Sequence, residues 1–423
     1  MNSKELKKLI SEDAEGLLRA LYSDASAQAQ RIIAAIDRFE AIYGEGRDVY
    51  LFSTPGRSEI IGNHTDHNNG CVIACAIDRD VIAVAAKNGT DTVRLTSEGY
   101  DENIVELDKI SDPYNFENYT SGALIGGVAR AFSDSGLNIG GYDAYSTSDV
   151  LKGSGLSSSA AFEVMIGNIF SHLYNGGSVE APTLAKFAQY AENVFFGKPC
   201  GLMDQMACAV GGFVYIDFAN KEAPFVEKSD FSMDRAGYKL CIVNTGGNHA
   251  DLNEDYASVP AEMKAVAAIF GKPTLRSLEL PDIMEKSIQI RQTAGDRALL
   301  RAVHFINENK RVAEARAALM SGATAEFFAR LIDSGRSSFQ YLQNVYTNKN
   351  PFEQGLSVAL MLTEAFGDGV GAYRVHGGGF AGTVQAFVRE DKVDEYSEYM
   401  EKVFGKGAVM KLSVRAVGAC RIV

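Results

Sequence analysis

Lys152-Gly153-Ser154-Gly155-Leu156-Ser157-Ser158-Ser159-Ala160-Ala161 is the most informative stretch of this chain. Before it lies a strand candidate, Gly141–Asp149. After it, Phe162, Met165, Ile166, Ile169, Phe170 and Leu173 fall at i, i+3, i+4, i+7, i+8 and i+11, the spacing of an amphipathic helix. Glycines let a backbone fold back tightly and approach a ligand without Cβ clashes. The N-terminus of the following helix presents unpaired N–H groups and a partial positive charge, which suit phosphate oxygens. Serine hydroxyls add donors and can ligate Mg2+ as hard oxygen ligands. The stretch does not fit G-x-x-x-x-G-K-[ST], which occurs nowhere in the chain, nor G-x-G-x-x-G, because position 158 is Ser. The alternative reading is a plain Gly/Ser connector with serine as the helix N-cap.

Working outward, residues 11–43 read as helix, and Val49–Ser53 as a short strand running into Pro55-Gly56. Ile82–Ala86 and Thr92–Thr96 read as a strand pair with Asn88-Gly89 as the turn between them. A second helix starts at Pro182, and strands return at Phe213–Phe218 and Leu240–Asn244. A long helical region follows from about Ala261 to Phe366, broken near Gly271-Lys272-Pro273 and Gly322, before strands at Ala372–His376 and Thr383–Val388. A single core stops growing at about 250–300 residues, so 423 residues imply two domains. Their boundary is expected around Asn220–Asp234, dividing the chain into 1–225 and 226–423.

Hydrophobic residues at 46% and charged ones at 22% match the globular balance and exclude disordered and fibrous classes. A net charge of −13, without a basic run, excludes a broad nucleic-acid surface. ATP remains compatible, because backbone N–H groups, one or two basic side chains and a metal ion bind phosphates locally. The six cysteines are too scattered for a disulfide framework and read as buried thiols in a reducing cytosol. Met1–Ile10 carries Lys and Glu without an apolar signal core, and no run of about 18 apolar residues appears. The expectation is a cytoplasmic protein with no membrane association.

Three further stretches carry chemistry-bearing residues. Glu192 and Asp204 flank Pro199-Cys200-Gly201-Leu202-Met203, where an acid in apolar surroundings needs a metal ion, an Arg or a hydroxyl as partner; a helix-surface charge and a turn or cap are the plainer readings. Pro55-Gly56-Arg57 and Gly62-Asn63-His64-Thr65-Asp66-His67-Asn68-Asn69-Gly70 crowd donors and acceptors suited to a polyol, or form an ordinary polar turn. His64 and His67 alone lack further metal ligands. In His376-Gly377-Gly378-Gly379-Phe380-Ala381-Gly382, consecutive glycines imply close backbone approach to a ligand or a neighbouring segment.

In this order the stretches resemble the motifs of the GHMP kinase superfamily, and in detail those of galactokinases. Pro55-Gly56-Arg57…Ile61–Asp66 is similar to the sugar-binding signature, Gly153–Ala161 to the phosphate loop, Ala191-Glu192…Asp204-Gln205 to the metal and catalytic segment, and Gly377–Gly382 to the third motif. Asn118-Tyr119 and Tyr256 also fall where the family has such residues. The resemblance spans roughly residues 30–423. It implies a two-domain α+β GHMP-kinase-like architecture with its active site in the interdomain cleft. Residues 1–225 would carry the sugar signature, phosphate loop and catalytic Asp, and residues 226–423 the third motif, Gly377, Gly378 and Gly379.

The activity implied is that of an ATP-dependent sugar 1-kinase acting on galactose, with ATP and Mg2+ as cofactors and no obligate protein partner. Asp204 and Arg57 would be catalytic, and Ser159 and Glu192 would hold Mg2+. Asn63, His64, Asp66, Gly201 and Tyr256 would bind sugar. Gly153, Ser154, Gly155, Leu156, Ser157, Ser158, Ser159 and Ala160 would cradle phosphates. An Arg beside Asp204 should depress its pKa and make it a weak base. The chain departs from the family at Asn63 (usually Glu), His67 (Tyr), His376 (a small hydroxyl residue), Val259-Pro260 (two arginines) and Ala381 (Gly). These departures touch the acceptor and spare the transfer machinery. The rivals are thus a kinase for N-acetylgalactosamine, arabinose or another sugar, and a non-catalytic galactose sensor. A sensor need keep neither the loop nor the Arg57/Asp204 pair.

Overall fold

Proline removes a ladder donor and normally ends a strand, yet Pro55-Gly56-Arg57 lies inside one: strand β1 runs from Tyr50 to Ile61, past the expected stop at Ser53. What replaces the ordinary ladder is the glycine-serine loop. The Arg57 N–H donates to the Leu156 carbonyl at 3.1 Å. Gly56 is needed there because a Cβ would come within 2.9 Å of that same oxygen. The computed structural model of the chain describes residues 1–150, 155–247 and 252–423.

Contacts divide the chain into two units that interleave in sequence: Met1–Arg57, Ala76–Gly212 and Arg415–Val423 form one, Ser58–Cys75 and Phe213–Val414 the other. The expected division after residue 225 thus falls after Gly212, and two segments leave their sequence neighbours. Strand pairing is the reason. Cys71–Cys75 ladders with Phe213–Asp217, whereas Arg415 exchanges backbone hydrogen bonds with Ala76 and Gly212.

In the first unit the strand order is β12 (Cys420–Arg421), β1, β2 (Cys71–Lys87), β5 (Tyr142–Ser148), β3 (Thr92–Ser97), β4 (Asn103–Glu106). Asn88-Gly89 therefore does not turn a hairpin. β5 inserts between β2 and β3, pairing antiparallel with the former and parallel with the latter. Its buried Asp143 accepts from Asn88, Arg47 and Arg94, which holds the crossing in place. The expected helix over 11–43 is three helices, Ser3–Glu12, Ala14–Leu18 and Ala25–Tyr43. Asp13 and Asp24 interrupt it because each carboxylate caps a new N-terminus, accepting from the Gly16 and Ala27 N–H groups. Ile32, Ile36 and Phe39 then pack with Ile82, Val84 and Tyr145. The fully buried Asp80 ties Tyr22, Arg31, Ser53 and Arg415 together, joining the N-terminal helices to the C-terminal tail.

The helix after the loop, Ser158–Tyr174, is buried on nearly all sides rather than amphipathic. Helices Ser121–Asp134, Ala181–Tyr190 and Met203–Val210 pack around it, and a helix enclosed on several sides loses its polar face. Phe162, on the expected apolar stripe, is only part-buried, while Glu163 is fully buried.

In the second unit β6 (Phe213–Asp217) and β7 (Phe225–Ser229) form a hairpin on the Cys71–Cys75 end of β2. A separate antiparallel sheet has the order β11 (Val409–Leu412), β8 (Tyr238–Asn244), β10 (Thr383–Arg389), β9 (Val370–Val375). The expected helical region resolves into Asn253–Ile269, Leu280–Glu285, Ser287–Thr293, Asp296–Ser321, Thr324–Ser337 and Gly355–Phe366. Gly322, in the left-handed region at φ +74, makes the expected break. The architecture is mixed α+β with two sheets. No described helix is long and apolar enough to cross a membrane.

Candidate active site

The loop that opens helix Ser158–Tyr174 is strained where it meets the site. Gly155 and Ser157 both sit in the left-handed region, at φ +74 and +58, the latter without glycine's freedom. Ser157 occupies the N-cap position but does not cap. Its hydroxyl instead donates to Asp204 Oδ2 at 2.5 Å. Without a side-chain cap, the first-turn N–H groups keep the donor capacity that suits phosphate oxygens. Gly153 and Ser154, expected in the same loop, lie outside the described residues. Leu156, Ser158, Ser159 and Ala160 are in the loop end and the first helical turn.

Asp204 stands in the first turn of helix Met203–Val210. Arg57 grips it with two parallel bonds, Nε to Oδ1 at 2.7 Å and Nη2 to Oδ2 at 2.6 Å, the bidentate geometry that makes such pairs strong. Arg57 Nη1 donates to the Gly155 carbonyl at 2.5 Å, so one guanidinium links strand, loop and helix. Burial would raise the Asp204 pKa. The Arg57 charge and the bonds from Arg57 and Ser157 outweigh it and hold the carboxyl below its ordinary range. The weak base expected from a neighbouring Arg is what stands there.

Glu192, read from the sequence as either a helix-surface charge or an acid in need of a partner, is buried. It lies in a π-helical turn, Ala191–Phe196, closed by Gly197 in the left-handed region. Its Oε1 accepts from Lys198 Nζ at 3.0 Å and its Oε2 from Gln205 Nε2 at 2.9 Å. Gln205 Nε2 also reaches Glu163 Oε2 at 3.2 Å. Burial, then the nearby Glu192 charge, push the Glu163 carboxyl well above its ordinary range. Glu163 lies one turn after Ser159, hence on the same helix face. Among the described residues Glu163 Oε1 is buried without a hydrogen-bond partner. Ser159, Glu192 and this orphaned oxygen are hard donors of the kind Mg2+ takes. No group of three His, Cys, Asp or Glu suited to a metal occurs among the described residues. Mg2+ needs none, since it binds through one or two carboxylates plus substrate phosphates.

In the second unit, the Gly62–Asp66 segment hangs on a buried carboxylate that sequence reasoning missed. Glu308 Oε1 accepts from the Gly62 and Asn63 N–H groups at 3.1 and 3.3 Å and from Ser334 Oγ at 2.5 Å, while Oε2 accepts from Arg311 Nε at 2.8 Å. His304 Nε2 donates to the Asn63 carbonyl at 3.0 Å. Asn63 itself is fully buried. Its Nδ2 donates to Glu59 and the Gly377 carbonyl, and its Oδ1 accepts from Asn344 and Ser338. Both ends of this expected sugar ligand are thus bonded to the chain. His64 Nε2 donates to the Gly378 carbonyl at 2.9 Å and Tyr256 Oη to the Gly379 carbonyl at 2.6 Å.

The close approach implied by the glycine run is to the chain. A Cβ at Gly378 would lie 2.4 Å from the Tyr256 ring, and one at Gly379 2.0 Å from the Asn344 carbonyl. Asp66 is part-exposed, with Oδ1 3.6 Å from His67 Nε2. Gly201 is exposed and belongs to the first unit. Gln205 and Lys198 lay inside or beside a stretch already singled out, and an acid on an apolar helix was the available signal for Glu163. For Glu308, 246 residues from Gly62, no local pattern existed.

Burial holds the His304 pKa at about 4, and burial with the nearby His67 does the same for His64. Their folded pKa values lie below the ordinary value near 6.5, so between about pH 6.5 and 4 the unfolded chain binds more protons. Stability therefore falls as pH drops through that window. The urea unfolding midpoint should decline clearly from pH 7 to pH 5; an unchanged midpoint would show that neither ring is held neutral.

Comparison with known proteins completes the picture. The galactokinase galactose-binding signature matches residues 37–87, and the GHMP kinase N-terminal domain matches residues 123–212. A galactokinase of Streptomyces coelicolor is 30% identical over 399 residues, covering 92% of this chain and 97% of its own. One of Clostridium tetani is 28% identical over 375 residues, covering 87% and 91%. The structure of Lactococcus lactis galactokinase complexed with galactose matches with a TM-score of 0.77 at 22% identity, covering 92% of this chain and 100% of that one. With its glycine-serine loop, its Arg-gripped aspartate and these relatives along nearly its whole length, the chain belongs to the galactokinase family of GHMP kinases.

Proposed function

We propose that the chain transfers the γ-phosphoryl group of ATP to the anomeric hydroxyl of galactose, giving ADP and galactose 1-phosphate. The observation that carries this reading is the bidentate Arg57–Asp204 pair, tied by Ser157 and Gly155 to the loop at a helix N-terminus. Asp204 orients the acceptor hydroxyl with a lone pair. Arg57 offsets negative charge on the transferring group. Residues Gly153–Ala160 hold phosphate oxygens through backbone N–H groups and hydroxyls. A phosphoryl group passing through a loose transition state needs little proton transfer before it moves, so an acidic Asp204 serves by positioning. Ser159 and Glu192 would hold Mg2+, which when bound neutralises phosphate charge.

On the sugar side, His64, Asp66, Gly201 and Tyr256 are the contacts we assign. Asn63 acts one step back, fixing the loop to Gly377. A cytoplasmic location fits these substrates. A second reading, a GHMP kinase for another sugar, is favoured by one feature: where the family usually has Glu, Asn63 has all its hydrogen-bonding capacity spent on the chain. ADP release with Mg-ATP across a panel of monosaccharides tests both. Galactose should give the highest kcat/KM. A faster N-acetylgalactosamine or arabinose would select the second reading, and no sugar-dependent release would overturn both.

A further inference from the structure

Each carboxylate oxygen of Glu192 already has a donor, and the two donors differ in how easily they can leave. Gln205 is fully buried and bridges to Glu163. Lys198 has a 57% exposed side chain, and an ammonium on a four-carbon stem reorients readily. Lys198 is over Glu192 for a local reason. The π turn closes on Gly197 at φ +82, and the Lys198 N–H donates back to the Glu192 carbonyl at 3.1 Å. The residue six places on is thereby folded above the carboxylate. A Cβ at 197 would be strained in that conformation and would lie 3.0 Å from Asn118 Nδ2, so glycine is required.

Glu192 needs this cation. Its side chain is 3% exposed, and a buried carboxylate without a counter-charge is strongly disfavoured. The oxygens of Asp204 are engaged by Arg57 and Ser157, so the exposed ammonium has no comparable acceptor waiting there. An incoming nucleotide would supply one, and an incoming divalent cation would relieve Glu192 of its need for lysine.

We propose that Lys198 is an exchangeable counter-cation, neutralising Glu192 while the nucleotide site is empty and moving to the nucleotide's phosphate oxygens when Glu192 takes up the divalent cation. This rests on the kinase reading above and adds to it. Lys198 makes the nucleotide-free chain a poor metal binder, so that cation and nucleotide enter together. It also gives the phosphates a cation besides Arg57.

Mn2+ titrated into the nucleotide-free full chain, with free Mn2+ read by electron paramagnetic resonance, tests the exchange without turnover. Lys198→Met should bind Mn2+ about two- to fivefold tighter than wild type, the size of one partly exposed ion pair. Its KM for Mg-ATP should rise by a similar factor, with kcat changed less. Lys198→Arg keeps the charge and should bind Mn2+ as wild type does. If Lys198→Met does not fold, Lys198→Gln gives the same readout. Equal or weaker Mn2+ binding in the neutral variant overturns the exchange and leaves the kinase reading standing. A wild-type chain without sugar-dependent ADP release overturns the kinase reading and the exchange with it.

Discussion

Asp204→Asn is expected to lower kcat by about 10²–10⁴-fold while leaving ATP binding largely intact. The substitution keeps the shape and removes the charge. Arg57 now makes two parallel bonds to Asp204, at 2.7 and 2.6 Å, and Ser157 adds a third. An amide offers one acceptor oxygen in place of two, and in either orientation its NH2 would face an Arg57 N–H, donor against donor. Arg57 would lose the pairing that aims it, and the acceptor hydroxyl would lose its orienting lone pair. Misplacement of this kind is costly because positioning and fixed charge supply most of the catalysis in phosphoryl transfer. ATP should still bind, because its phosphates are assigned to the loop and helix N-terminus. Measuring kcat beside an equilibrium ATP affinity separates the two. Wild-type turnover in the variant would remove Asp204 from the reaction.

Glu308→Ala is expected to destabilise the fold by about 3–5 kcal/mol, the cost of breaking a buried ion pair by removing one partner. Glu308 is fully buried and its partner Arg311 is 14% exposed at the side chain. Removal would leave that guanidinium, the Ser334 hydroxyl and the Gly62 and Asn63 N–H groups without their acceptor. Set against the roughly 5–15 kcal/mol that holds an ordinary domain together, this is a large fraction. In whatever fraction folds, the sugar KM should rise more than the ATP KM, because the loop that loses its anchor carries His64 and Asp66. Urea unfolding and paired KM measurements check both parts. A variant as stable as wild type would show that the carboxylate does not anchor the loop.

The Asn63 site shows why such residues escape a reading of the chain alone. Asn63 stands in a motif, and a polar residue in a motif invites a ligand role. What decides its task is whether its donors and acceptors are already spent, and they are spent on Glu59, Ser338, Asn344 and Gly377. Three of those partners are remote in sequence. Ser157 offers the converse case. A serine before a helix signals a cap, but its left-handed backbone turns the hydroxyl toward Asp204.

By itself, the sequence determined the α+β class, the family, the glycine-serine loop ahead of a helix, and which acids and arginine stood as candidates for phosphoryl transfer. Those properties are local: glycine spacing, helix periodicity and residue order are written over a few to a few dozen positions. Only the tertiary structure decided that β5 inserts between β2 and β3, that residues 58–75 and 415–423 change units, that Glu192 rides a π turn under Lys198, and that Glu308 holds the loop at Gly62. Each of these rests on hydrogen bonds between groups whose sequence separation carries no signal, or on a backbone conformation chosen by what packs around it. A residue's chemistry is encoded where it stands, whereas its partner is chosen by the fold.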